Sequence, residues 1–122
     1  MTYRRIEGKQ SLLRMFIGED DRLEGKPLHE AIVQEARRIG IAGCTVFRGA
    51  SGFGMDGAIH SDFPPDYASD LPIVIEVVDT VEKTAALLDA VGPHLGGALV
   101  TEEKLHVHRY RHQRSGEKND PT

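Results

Sequence analysis

The chain of 122 residues carries a single cysteine, Cys44, so no disulfide can close within it. A lone thiol fits a reducing compartment, where disulfides are rare. Long apolar runs are missing too. The opening "MTYRRIEGKQ" has no stretch resembling a signal peptide, and nothing approaches the roughly 20 apolar residues of a membrane span. The expectation is a soluble, cytoplasmic protein with no direct membrane insertion. Net charge is −4 with histidine neutral. The whole molecule therefore has no electrostatic footprint for nucleic acid.

A catalytic constellation is also lacking. No serine or cysteine nucleophile stands with a defined base, and no pair of acids has a fixed separation. Glu19, Asp20 and Asp21 are adjacent acids of the kind that solvate a loop. The chain reads as a non-enzyme. Gly49, Gly52 and Gly54 in "GASGFG" spell G-x-x-G-x-G, which is neither the dinucleotide fingerprint nor a Walker A loop. The spacing suits a flexible strand exit, or a backbone that turns to positive φ and lets a ligand approach its N–H groups.

What is present describes one ordinary globular domain over residues 1–122, with 39% apolar and 28% charged residues and flexible ends at 1–10 and 115–122. "LLRMFIG" predicts a first strand over residues 12–18, followed by the loop "EDDRLEG". Pro27 suits the first turn of a helix, with Leu28, Ala31, Ile32, Ala36 and Ile39 on its apolar face and Gly40 as its stop. "AGCTVFR", residues 42–48, predicts a second strand, and "LPIVIEVV", residues 71–78, a third with Pro72 at its entry. Asp79 or Thr80 caps a second helix, in which Val81, Ala85, Leu88 and Val91 recur at helical spacing. A last strand runs through "KLHVHRYR".

The order is βαβ, long loop, βαβ. It predicts an α+β, ferredoxin-like βαββαβ fold: a four-stranded antiparallel sheet with both helices on one face. The strands do not alternate cleanly enough for a solvated second face. Leu13, Met15 and Ile17 share one parity while Leu12 and Phe16 hold the other; Ile73, Ile75 and Val77 are opposed by Val74 and Val78. Another copy of the chain is the expected cover, with the tails or the long loop as the alternative.

On the last strand, Arg109 and Arg111 continue the parity of Leu105 and Val107. Two forked guanidinium groups at that spacing suit a phosphate or carboxylate, or else form a solvated strand end. His106 and His108 project together from the other face. An H-x-H pair can contribute to a zinc or copper site, which needs more ligands than two, so a metal-binding module using His106 and His108 is the alternative function. An RNA-binding ferredoxin-like domain is disfavoured, because "SGFGM" is not an aromatic-rich strand motif.

The succession "FIGEDD", "GKPLHEAI", "GIAGCTVFRGASGFG", "LPIVIEVVD" and "ALVTEEKLHVHRY", spanning about residues 12–110, resembles the family called domain of unknown function 190, within the PII-like group of trimeric signalling proteins. The resemblance implies a homotrimer formed through the sheets and a T-loop-like arm over residues 49–70. It also implies a ligand cleft between subunits and no required cofactor. One side of the cleft would be Gly43, Thr45 and residues 48–54, including Arg48, Gly49, Gly52 and Gly54. The other would be Gly97, or Gly96, with Arg109 and Arg111. "GPHLGGALV" lacks the Lys or Arg of the PII phosphate grip, so an adenine nucleotide of the AMP or ADP type is implied over a triphosphate. Tyr67, in "PPDYASD", does not match the PII modification motif. The arm would act on a partner such as a membrane transporter or channel.

Overall fold

The structure, a computed structural model, describes residues 5–62 and 70–111. Its order is β1 (Ile6–Gly18), β2 (Arg22–Leu23), β3 (Lys26–Pro27), α1 (Leu28–Arg38), β4 (Cys44–Arg48), β5 (Ser51–Phe53), β6 (Ile59–Ser61), β7 (Pro72–Asp79), α2 (Val81–Val91) and β8 (Leu99–Tyr110). The main sheet has the order β4-β7-β1-β8, with every neighbouring pair antiparallel. This is the expected ferredoxin-like α+β arrangement.

One parity of each central strand supplies the core. Leu13, Met15 and Ile17 of β1 and Ile73, Ile75 and Val77 of β7 are buried with Leu28, Ile32 and Ala36 of α1 and Leu87, Val91 and Leu95 from α2 and beyond. At roughly 1.5–3 kcal/mol for each large aliphatic side chain buried, this layer dominates the folding energy. α1 stops where expected, with Gly40 at φ 83. The Lys83 ammonium donates to the Ile39 carbonyl at 2.7 Å, a cation placed on the helix C-terminus.

Several boundaries differ from expectation. β1 begins at Ile6, because residues 6–10 pair with the far end of β8; they are strand rather than a loose lead. β8 likewise begins at Leu99, five residues before the expected start. Pro27 precedes α1 as its N-cap instead of occupying its first turn. The expected loop after β1 contains a two-strand hairpin, β2–β3, turning through Glu24 and Gly25 at φ 51 and 82, the two left-handed residues of a type I′ turn. In α2 the buried residues are Thr84, Leu87 and Val91, with Leu88 partly buried, while Val81 is exposed. Thr84 faces inward because its hydroxyl donates to Ser11 Oγ at 3.1 Å in the interior.

The second face of the sheet carries the expected apolar residues. Phe16, Phe47 and Leu99 are exposed there, beside the partly buried Val74 and Val78. Arg14 sits among them and pairs with Glu76 at 2.7 Å and Glu103 at 2.9 Å, tying three strands together. Among the described residues no helix is long and apolar enough to cross a membrane.

Candidate functional site

The long connection between β4 and β7 is built, where described, as a second small sheet. β5 and β6 pair Ser51 with Ser61, Gly52 with His60 and Phe53 with Ile59. Phe53, Met55 and Ile59 lie exposed at its tip. Residues 63–69, including Tyr67, fall outside the described residues, as do 1–4 and 112–122 with the expected C-terminal flexible segment.

Gly49, Gly52 and Gly54 do not take the positive φ that their spacing suggested. Packing explains two of them. A β-carbon at Gly49 would lie 3.1 Å from the Pro72 ring, and one at Gly52 would lie 3.2 Å from it. The glycines let the arm leave the sheet across the proline that starts β7. A β-carbon at Gly54 would meet nothing within 4 Å, and the Gly54 carbonyl accepts from Gly57 N at 3.0 Å.

Both roots of the arm converge on residues 18–21, just after β1. On the outgoing side, Arg48 Nε pairs with Glu19 Oε2 at 2.7 Å, and Gly49 N donates to the Pro72 carbonyl at 2.7 Å. On the returning side, Glu19 N donates to the Leu71 carbonyl at 2.8 Å and Asp20 N to Asp70 Oδ1 at 2.9 Å. Asp70 holds φ 57, a left-handed conformation that aspartate tolerates better than most residues. Its carboxylate packs so tightly on Gly18 that a β-carbon there would sit 2.2 Å from Asp70 Oδ1. Asp21 shapes the turn itself, accepting from Gly18 N at 3.0 Å through Oδ2. Of the acids expected only to solvate a loop, Glu19 meets both roots of the arm, Asp20 meets one through its backbone amide, and Asp21 shapes the turn that carries them. The sequence signal was a Gly-acid-acid-acid turn directly after a strand, a pattern that builds side-chain-capped turns.

The other expected site residues divide between the two ends of the sheet. Arg48, Gly49, Gly52 and Gly54 stand at the end where β1 and β7 meet at Gly18 and Pro72, and Gly97 lies at the same end, beyond the pairing of Leu99 with Phe16. Gly43, Arg109 and Arg111 stand at the opposite end, where Tyr110 pairs with Ile6. There a β-carbon at Gly43 would lie 3.1 Å from Tyr110 Oη, so the missing side chain makes room for the tyrosine. Gly97 was grouped with Arg109 and Arg111, but residues 99–108 of β8 lie between Gly97 and that pair. At about 3.3 Å per residue, that is more than a mononucleotide spans. Thr45 lies on the open face of β4 beside Phe47 and opposite Glu76.

Cys44 is half-buried, and desolvation pushes its thiol pKa up. It is protonated at neutral pH and a poor nucleophile. His106 and His108 do share a side of β8, their rings edge to face with centroids 5.2 Å apart. Among the described residues, no three His, Cys, Asp or Glu are grouped to hold a metal ion. A cleft of 420 Å³ opens between the β2–β3 hairpin, α1 and the end of α2, where Lys26, Arg38 and His94 rim a floor of Ile32 and Val91. None of the expected site residues lines it.

A four-stranded sheet with two helices on one face and a hairpin arm between its second and third main strands is the architecture of PII-like proteins. The chain superposes on a nitrogen regulatory PII-like protein of Thiomonas intermedia, solved with ADP, AMP and bicarbonate, with TM-score 0.64 and 18% identity, covering 88% of this chain and 94% of that one. A PII-like protein of Thermus thermophilus gives 0.57 and 18%, covering 83% and 91%. The DUF190 family model, described as "Uncharacterized ACR", matches residues 10–107, and the chain belongs to that family. A UPF0166 protein of Aquifex aeolicus is 37% identical over 100 residues, covering 81% of this chain and 93% of that one.

Proposed function

We propose that this protein is a cytoplasmic, homotrimeric PII-like sensor that binds an adenine nucleotide of the AMP or ADP type between subunits. Occupancy alters the arm over residues 49–70 and thereby its fit to a partner protein, a membrane transporter or channel. The observation that carries this reading is the convergence of both arm roots on one turn beside Arg48, in a fold shared with a protein solved with ADP and AMP. A phosphate at Arg48 would be coupled to the arm by direct contacts.

The ligand would lie along β4, its phosphate at Arg48 and the backbone of Gly49, Gly52 and Gly54, its other end toward Gly43 and Thr45. Arg109 and Arg111 would come from the neighbouring subunit. Gly97 would belong to a different subunit from that pair, since the length of β8 keeps them apart. Trimer formation is supported by the open sheet face, whose exposed Phe16, Phe47 and Leu99 surround a charge group in which Arg14 pairs with both Glu76 and Glu103. The test is thermal unfolding with parallel measurement of oligomer mass, against AMP, cyclic AMP, ADP, ATP, bicarbonate, fluoride and divalent metals. A ligand at a hundred times its dissociation constant adds about 2.7 kcal/mol, several degrees in midpoint. A trimer raised by AMP or ADP supports the reading. A monomer, or a protein indifferent to every nucleotide, contradicts it.

A further inference from the structure

The turn at residues 18–21 holds the two roots of the arm by different kinds of contact. The returning root is held by backbone donors, Glu19 N to the Leu71 carbonyl and Asp20 N to Asp70 Oδ1. The outgoing root is held to the turn by a charge pair between Glu19 and Arg48, beside the backbone bond from Gly49 N to the Pro72 carbonyl of β7. Arg48 is also the only Lys or Arg between Arg38 and Lys83 in the sequence. An anion arriving at the base of the arm along this stretch therefore meets one guanidinium, and a carboxylate of the same chain already engages it.

The pair is open to water, with side chains 60% and 29% exposed for Arg48 and Glu19. Exposed pairs of this kind are weak and exchange readily. A phosphate has more charge and more acceptor oxygens than a carboxylate, and forms stronger forked contacts with arginine. Both anions on one guanidinium would repel each other. Displacing the Glu19 carboxylate releases the outgoing root while the amides of Glu19 and Asp20 still hold Leu71 and Asp70.

We propose that Glu19 is an internal competitor for the anion-binding guanidinium of Arg48, and that a phosphate-bearing ligand frees the arm by displacing it. This rests on the nucleotide reading for the identity of the ligand, but the clamp itself needs no ligand to be observed. The coupling is reciprocal: whatever stabilises the clamped arm weakens anion binding by the same factor. Glu19 is thus a positioning residue that sets the threshold of the sensor and the closed state of its arm.

The test is hydrogen exchange of the full chain, with and without AMP, in wild type, Glu19→Gln and Arg48→Gln, together with AMP titration by calorimetry. Glu19→Gln removes the charge while keeping the backbone donors. Without ligand, amides over residues 49–62 should exchange faster in both variants, while those of α1 and central β7 keep wild-type protection. AMP should bind Glu19→Gln about two- to fivefold more tightly than wild type, as expected for losing an exposed competing pair, and Arg48→Gln more weakly. AMP should raise arm exchange in wild type and change it little in Glu19→Gln. Unchanged arm exchange in both ligand-free variants overturns the clamp. Weaker AMP binding by Glu19→Gln, or arm exchange slowed by AMP in wild type, overturns the competition. If no protein binds AMP but both variants still loosen the arm, the clamp is supported and the nucleotide reading alone fails.

Discussion

Asp79 lies fully buried at the end of β7, and its Oδ2 accepts a hydrogen bond from the backbone amide of Ala42 at 2.9 Å. Its Oδ1 accepts from Thr80 N at 2.7 Å. The carboxylate thereby joins the segment leading into β4 to the start of α2, whose first turn is capped separately by Thr80 Oγ1 accepting from Lys83 N.

Replacing Asp79 by alanine removes the acceptor from two backbone donors. We expect a loss of about 2–5 kcal/mol, from leaving two backbone amides without their acceptor. Urea unfolding at one protein concentration for both variants measures it, so that any contribution from association is held constant. A change under 1 kcal/mol would show that solvent replaces the carboxylate.

The order of strands and helices was legible because the apolar periods are strong: Leu13, Met15 and Ile17, and Ile73, Ile75 and Val77, each hold one buried parity. The inner face of α2 was harder. Val81, Ala85, Leu88 and Val91 match a helical period, yet of these only Val91 is buried; Thr84 and Leu87 complete the inner face, where the Thr84 hydroxyl meets Ser11 across the layer. Residues 7–10 are polar or glycine, so only pairing with β8 reveals this segment as strand. The arm clamp was invisible for a similar reason. Asp20 and Asp70 stand 50 positions apart, and no local pattern brings them together. The approach of Tyr110 to Gly43, which the family resemblance assigns to the ligand cleft, is likewise a long-range contact that no local pattern shows.

Phe16 and Leu99 pair directly across β1 and β8 on the open face, 37% and 59% exposed. If that face joins the copies of a trimer, Phe16→Arg with Leu99→Arg should yield monomers at micromolar concentration, since two charges would have to be buried without partners. Sedimentation velocity reads the outcome directly. A double variant that keeps the wild-type mass would move the interface elsewhere.

Cys44 gives a prediction in pH. Burial raises its thiol pKa in the folded protein above the ordinary value it regains on unfolding. The associated stability is therefore fully present below the unfolded pKa and is lost as pH rises through the folded one. Urea midpoints measured from neutral to alkaline pH should fall more steeply for wild type than for Cys44→Ala. At pH 8, iodoacetamide should also modify native Cys44 more slowly than the unfolded thiol. Equal rates would place the sulfur in contact with water.

Arg109 and Arg111 provide the sharpest test of where the ligand sits. Both are exposed and near the end of β8, far along the strand from Gly97. If they reach a neighbour's nucleotide, Arg109→Ala with Arg111→Ala removes two charge-assisted contacts of about 1.5–3 kcal/mol each. AMP affinity should then fall by more than tenfold. Calorimetric titration measures the loss, and the oligomer mass should remain that of wild type. Full affinity in the double variant would confine binding to the Arg48 end of the sheet. A collapse of affinity together with loss of the oligomer would show that the arginines join the subunits.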